Sequence, residues 1–232
     1  MPPKPTALKI LDWVSLALLA IASYMVFFFA PMEAVMGNVQ RVFYFHVAAG
    51  WVGFLSFFVA VIVGIIYLRT NDLKWDVIGL AAVELGLMFS FINIVTGSIW
   101  ARPIWNTWWT WDPRLVTATI MELIYFAYLM LRQGIENPVR RARFGAVYAT
   151  LGFTSVPISF LSIRIWRTIH PVVIGSGSSE AQGSFDMTSP MLATFLFSLF
   201  VFTVIFVDLL WNRIRLGQYG EKIEHLRLKL MA

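Results

Sequence analysis

The chain has 232 residues, 59% hydrophobic and 13% charged, with a mean hydropathy of +0.72, far from soluble averages and diagnostic of an integral membrane protein. Cysteine is absent, which excludes disulfides, thiolate metal sites and a cysteine nucleophile. The net charge of +5 comes from lysines and arginines scattered between apolar stretches, a distribution that reports orientation in a bilayer and excludes a nucleic-acid-binding surface.

Six apolar runs reach the roughly 20 residues that a helix needs to cross a bilayer core. They lie at 10–30, 44–68, 77–99, 115–131, 144–163 and 190–211, so the expected architecture is all-α: a single six-helix membrane domain over 1–232. The first run follows Lys4 and Lys9, is too long for the apolar part of a signal peptide and meets Pro31 directly, so it reads as a retained span. With the N-terminus inside, the inner side carries thirteen lysines and arginines and the outer side five: Arg41, Arg102, Arg114, Arg164 and Arg167. The positive-inside rule then predicts N-in, C-in. That orientation puts the first loop, a tryptophan-rich loop at about 100–114 and a loop at about 164–189 outside. The last of these contains GSGSSEAQGS at 175–184, too poor in apolar side chains to pack and expected to be mobile. The inner tail, 212–232, has the apolar and charged alternation of an amphipathic helix.

Along the chain, span two opens with RVFYFHVAAGWVG. His46, Ala49, Gly50 and Gly53 stand at i, i+3, i+4 and i+7, hence on one helical face. Small residues beneath an imidazole either leave a depression for a flat ring or mark a seam where two helix backbones approach. Spans three and four contain Glu84, Asn93 and Glu122. Ionisable groups there are costly, and a protonated, hydrogen-bonded helix contact accounts for them more simply than a proton or ligand pathway.

Between those spans runs WARPIWNTWWTWDPR, residues 100–114, which holds five of the ten tryptophans: Trp100, Trp105, Trp108, Trp109 and Trp111. Single indoles are ordinary at a membrane surface, whereas five in fifteen positions suggest a binding platform. Pro103 predicts the first turn of a short helix, in which Trp105, Trp108 and Trp109 would share a face. Asp112 and Pro113 form the N-cap and N1 pair of span four. In span five Pro157, after Ser155, predicts a kink.

Of the three histidines, His225 belongs to the charged inner tail, while His46 and His170, the latter in IRIWRTIHPVVI, lie on the side of the indoles. Either one alone reads as an interfacial or loop residue. Together they suit the two axial positions of one haem iron. The indoles would then meet the macrocycle, and Arg102 and Arg114 flank the platform as partners for propionates.

TGSIWARPIWNTWWTWDPRL, residues 96–115, resembles the signature of the haem-handling, tryptophan-rich (WWD) family of cytochrome c maturation proteins, in particular its six-span CcmC branch. The likeness extends over nearly the whole chain through the span number and the places of the two histidines. The resemblance implies that His46 and His170 are axial ligands of a non-covalent, b-type haem, and that Trp100 through Asp112 contact it. It further implies delivery of haem to the chaperone CcmE, and association with the small protein CcmD and the ABC transporter subunits CcmA and CcmB. The expected location is a bacterial inner membrane, with the working face periplasmic. One departure is visible: IRIWRTIH has a single tryptophan where family members carry two adjacent ones. No catalytic constellation is found. Two other readings of the residues are a bis-histidine electron-transferring cytochrome and the membrane subunit of a haem-exporting transporter. For the latter, ATP hydrolysis would need another subunit, because the chain has no GxxxxGK[ST] loop.

Overall fold

The computed structural model describes residues 3–172 and 187–231. The segment 175–184 and the side chain of His225, both singled out above, lie outside the described residues. Among the described residues seven α-helices follow one another: α1 (Thr6–Tyr24), α2 (Arg41–Thr70), α3 (Leu73–Trp105), α4 (Pro113–Gln133), α5 (Pro138–Gly152), α6 (Ser155–Ile165) and α7 (Ser189–Met231). α5 and α6 make one span between them, so six helical stretches are long and apolar enough to cross a membrane. Each overlaps one of the apolar runs predicted from sequence, the first run passing the helix end by one residue.

Local chemistry sets most helix ends. α1 widens into a π-helical turn at Met25–Phe29, closed by the Ala30 N–H donating to the Met25 carbonyl over 2.8 Å. Ala30 precedes Pro31 and is extended, as the proline ring requires of its neighbour. The Val26 carbonyl in that turn accepts from the Arg41 guanidinium, which ties α1 to the start of α2. α2 stops at Asn71 in the left-handed conformation, φ 54°, and Asp72 at once caps α3 by accepting from the Lys74 N–H over 3.0 Å. So short a link makes α2 and α3 an antiparallel hairpin.

Small residues line the seam of that hairpin. A Cβ on Gly86 would come within 2.5 Å of the Phe57 ring, and one on Gly50 within 2.9 Å of the Asn93 amide. Ala49 is fully buried in the same layer. The small face below His46 is thus in part a helix seam, while Gly50 and Gly53 also border a small cavity with Arg114 and Phe160. Beside the seam, Phe57 of α2 stacks on Tyr125 of α4 with centroids 3.7 Å apart, inside a core shared with Ala82, Val83, Ala149 and Val156.

Two expectations are corrected. α3 does not stop near Ile99 and restart at Pro103; it runs through Pro103 to Trp105 and ends at Asn106, φ 55°. Proline in the last turn removes only one backbone hydrogen bond from a helix already formed. The interval left between the Asn106 stop and the Asp112 cap is too short for a further helix, and residues 107–112 are non-helical. Glu84, in turn, is an ion pair: its carboxylate accepts from Arg213 of α7, Nη2 to Oε1 at 2.8 Å. The tail supplies a cation that the span-by-span reading could not see. Glu122 keeps the expected helix contact, accepting from Ser90 of α3.

The fifth span breaks at 153–154, four residues before Pro157, whose missing N–H leaves the Phe153 carbonyl without its usual donor. The Val156 N–H reaches that carbonyl instead, over 3.0 Å. α6 therefore leaves α5 at a bend and carries the chain toward the end of α3. α7, with 43 residues, is about 65 Å long and includes the predicted tail helix without interruption.

Candidate functional site

At the end of the bundle where α3 stops and α4 begins lies a cavity with about 490 Å³ of empty space, part of it open to solvent. His46, Asn93, Gly97, Trp100, Trp105, Trp109, Arg114 and His170 are among the residues of its wall. The two histidines, 124 positions apart in sequence, meet here with ring centroids 6.5 Å apart and planes inclined at 37°.

His46 projects from the second turn of α2 toward α3. Its Nδ1 donates to the Asn93 carbonyl over 2.9 Å, with the Thr96 hydroxyl at 3.2 Å. The Asn93 side chain returns a bond to the His46 carbonyl over 2.8 Å. Gly97 admits the ring: a Cβ there would lie 2.9 Å from the His46 Cε1. A carbonyl can only accept, so Nδ1 carries the proton and Nε2 keeps its lone pair.

His170 lies in the segment after α6. Its Nδ1 donates to the Pro171 carbonyl over 3.0 Å, which selects the same tautomer. Burial, then the Arg114 guanidinium and then His46 beside it, lower its pKa to about 3, although the Pro171 bond opposes them. The ring is therefore neutral at physiological pH, which is the form that binds a metal.

The tryptophans divide. Trp100 and Trp105, from the last turns of α3, meet edge to face at 5.5 Å and line the cavity with Trp109. Trp108 and Trp111 do not line it and are 59% and 85% exposed. The expected common face of Trp105, Trp108 and Trp109 does not form, because the chain after Asn106 is no longer helical.

The arginines divide as well. Arg102 turns outward and donates to the Asn106 side chain, whereas Arg114 borders the cavity. One nitrogen of Arg114 donates to the Ser159 carbonyl and hydroxyl over 2.8 and 2.7 Å, and the guanidinium carbon lies 5.0 Å from the centre of the Phe160 ring. Among the described residues no carboxylate is within ion-pairing distance of it. Asp112 does not line the cavity. It is buried and caps α4 as predicted, accepting from the Arg114 N–H over 2.9 Å. Its carboxylate also accepts from Thr168 and from the Ile169 N–H.

Asn93 reads from sequence only as a helix contact, and Gly97, Ser159 and Thr168 carry no role there. Asn93 carried a signal, a polar group inside an apolar run. The other three are small residues of types common in membrane helices and loops.

The sequence profile of one family, described as Heme exporter protein C, matches residues 4–229. Heme exporter protein C of Bradyrhizobium diazoefficiens is 34% identical over 209 residues, covering 87% of this chain and 76% of that protein. Its namesake from Escherichia coli K12 is 32% identical over 225 residues, covering 91% and 86%. A ccmC-like mitochondrial protein of cytochrome c biosynthesis from Marchantia polymorpha is 29% identical over 206 residues, covering 88% and 86%. With six spans, paired histidines in an indole-walled cavity and this similarity along nearly its full length, the chain belongs to the CcmC family, Heme exporter protein C.

Proposed function

We propose that the protein handles haem in cytochrome c maturation, holding it non-covalently, as b-type haem, in the indole-walled cavity and delivering it to the chaperone CcmE. The observation that carries this reading is the pair of imidazoles. Metal–imidazole bonds of about 2 Å put the centroids of two rings on one iron roughly 6 Å apart, against 6.5 Å between His46 and His170. Both Nδ1 atoms are engaged by carbonyls, the second-shell arrangement that orients a histidine for coordination through Nε2. Trp100, Trp105 and Trp109 supply apolar walls for a macrocycle, and Arg114, which pairs with no carboxylate among the described residues, supplies charge for a propionate. Trp108, Trp111 and Arg102 are left to the rim, where a partner that takes the haem would meet them.

Delivery requires ligand exchange and not turnover, so no group need act as an acid, base or nucleophile. CcmD, CcmA and CcmB are the partners proposed with it. The distribution of thirteen basic residues against five supports N-in, C-in insertion in a bacterial inner membrane, which turns the cavity to the periplasm.

Full-length protein purified in detergent and loaded with haem should show a low-spin bis-imidazole spectrum and lose haem to CcmE. Rapid reduction by a quinol with no haem transfer would instead identify an electron-transferring cytochrome. Orientation has its own test. A cysteine placed at Thr107 should be labelled in intact cells by an impermeant thiol reagent, and one at Gly134 only after lysis. The opposite pattern would reverse the topology.

A further inference from the structure

We infer that Asp112 is a positioning residue which, through Thr168, latches the His170 segment to the start of α4 and sets how readily His170 parts from His46. The inference rests on the reading of the two histidines as ligands of one haem.

The two imidazoles are held in different ways. His46 belongs to a helix of 30 residues and is wedged between Asn93 and Gly97 of the neighbouring helix, so its ring is held by the packing of α2 on α3. His170 is outside any helix, and its ring is bonded to the carbonyl of Pro171, the next residue, which moves with it. Among the described residues, the Asp112 carboxylate joins this segment to the bundle close to the ring. The Thr168 hydroxyl donates to both of its oxygens at 2.8 Å, and the Ile169 N–H donates to Oδ2 at 2.9 Å. The Thr168 oxygen in turn accepts from the His170 N–H over 3.0 Å. A continuous chain of hydrogen bonds therefore runs from the first turn of α4 to the backbone of His170.

Asp112 and Thr168 are 8% and 3% exposed, so water does not compete for these bonds. Asp112 also fixes the N–H of Arg114, so one carboxylate places both the loop ligand and the cation of the cavity. With the latch closed the ring centroids lie 6.5 Å apart. With it open, His170 departs and His46 stays. His170 is accordingly the ligand that yields when haem is handed on.

Asp112→Asn separates the latch from the cap. Asparagine caps a helix as well as aspartate does, and its oxygen can still accept from the Arg114 N–H. Its amide nitrogen then faces the Ile169 N–H, donor against donor. Thr168→Val removes the hydroxyl and keeps the shape, and Thr168→Ser restores it. The measurement is the rate at which haem-loaded, full-length protein in detergent surrenders haem to excess apomyoglobin, with the low-spin electron paramagnetic resonance signal recorded beforehand.

Asp112→Asn and Thr168→Val should each release haem about tenfold faster than wild type, the scale of second-shell losses at metal-binding histidines, and shift or broaden the low-spin signal. Thr168→Ser should match wild type. So should Thr203→Val, which deletes a remote hydroxyl bonded to Trp51. In a His170→Ala background Asp112→Asn should add nothing, because its effect passes through that ring. Wild-type release and signal in both latch variants would overturn the latch and leave the haem site standing, as would an undiminished effect of Asp112→Asn without His170. A wild-type protein with no bis-imidazole signal would remove the proposed haem site itself.

Discussion

Alanine in place of either His46 or His170 should abolish the bis-imidazole spectrum of the haem-loaded protein and weaken haem retention by well over tenfold. Altering a residue that merely orients a metal-bound histidine typically costs 10–100-fold, and removing the ligand costs more. The two variants should differ in kind. Without His46 the iron keeps only a ligand carried by a loop, whereas without His170 it keeps one fixed between Asn93 and Gly97. Haem should therefore persist longer in His170→Ala, as a high-spin form with one axial imidazole. Absorption spectra with a competition assay against apomyoglobin read both effects, and His225→Ala serves as the variant expected to change nothing. Unaltered spectra in both variants would sink the assignment of ligands, whatever the cavity holds.

The second large effect lies at the opposite end of the bundle and concerns stability. Asp76, in the first turn of α3, pairs with Arg132, in the last turn of α4, each at the helix end where its charge is favoured. The guanidinium meets both carboxylate oxygens, Nη1 to Oδ1 at 2.5 Å and Nη2 to Oδ2 at 2.7 Å, and is buried beneath Tyr128. Asp76→Ala should cost about 3–5 kcal/mol, because it strands a buried cation and does not merely forfeit an attraction. For a chain of this size each kcal/mol lowers the melting temperature by roughly 2–4 °C, so even the lower figure gives a drop of roughly 6–12 °C. Asp76→Ala combined with Arg132→Met should recover most of the loss, since the desolvated charge is then gone. Thermal unfolding in detergent separates these outcomes. A single variant that melts with wild type would mean that water reaches the guanidinium.

Both expectations depend on residues that were visible in sequence, yet only one of the two pairings was legible there. His46 and His170 stood out because histidine is rare in this chain and both fall on the side of the indoles once the spans are counted. Nothing along the chain links Asp76 to Arg132 or Glu84 to Arg213, which are 56 and 129 positions apart. Likewise, the cap that Asp112 provides is a local pattern and was readable, but its bonds to Thr168 and Ile169 span a whole helical hairpin and were not. The choice of Arg114 over Arg102, and of Trp100, Trp105 and Trp109 over Trp108 and Trp111, turned on where α3 ends. Hydropathy ends that span at Ile99, six residues short of the helix, and Pro103 reads as a helix start although the last turn of α3 tolerates it.

By itself the amino-acid sequence determined six apolar spans, the capped start of α4, the bend ahead of Pro157 and the family likeness. These depend on hydropathy over some 20 residues or on chemistry within one helical turn. The tertiary structure alone decided which side chains share the cavity, what satisfies each buried charge, and that the two histidines are anchored unequally. Those outcomes depend on how distant helices meet, and the angle and register of that meeting follow from side-chain contacts across the whole bundle, which no local stretch encodes.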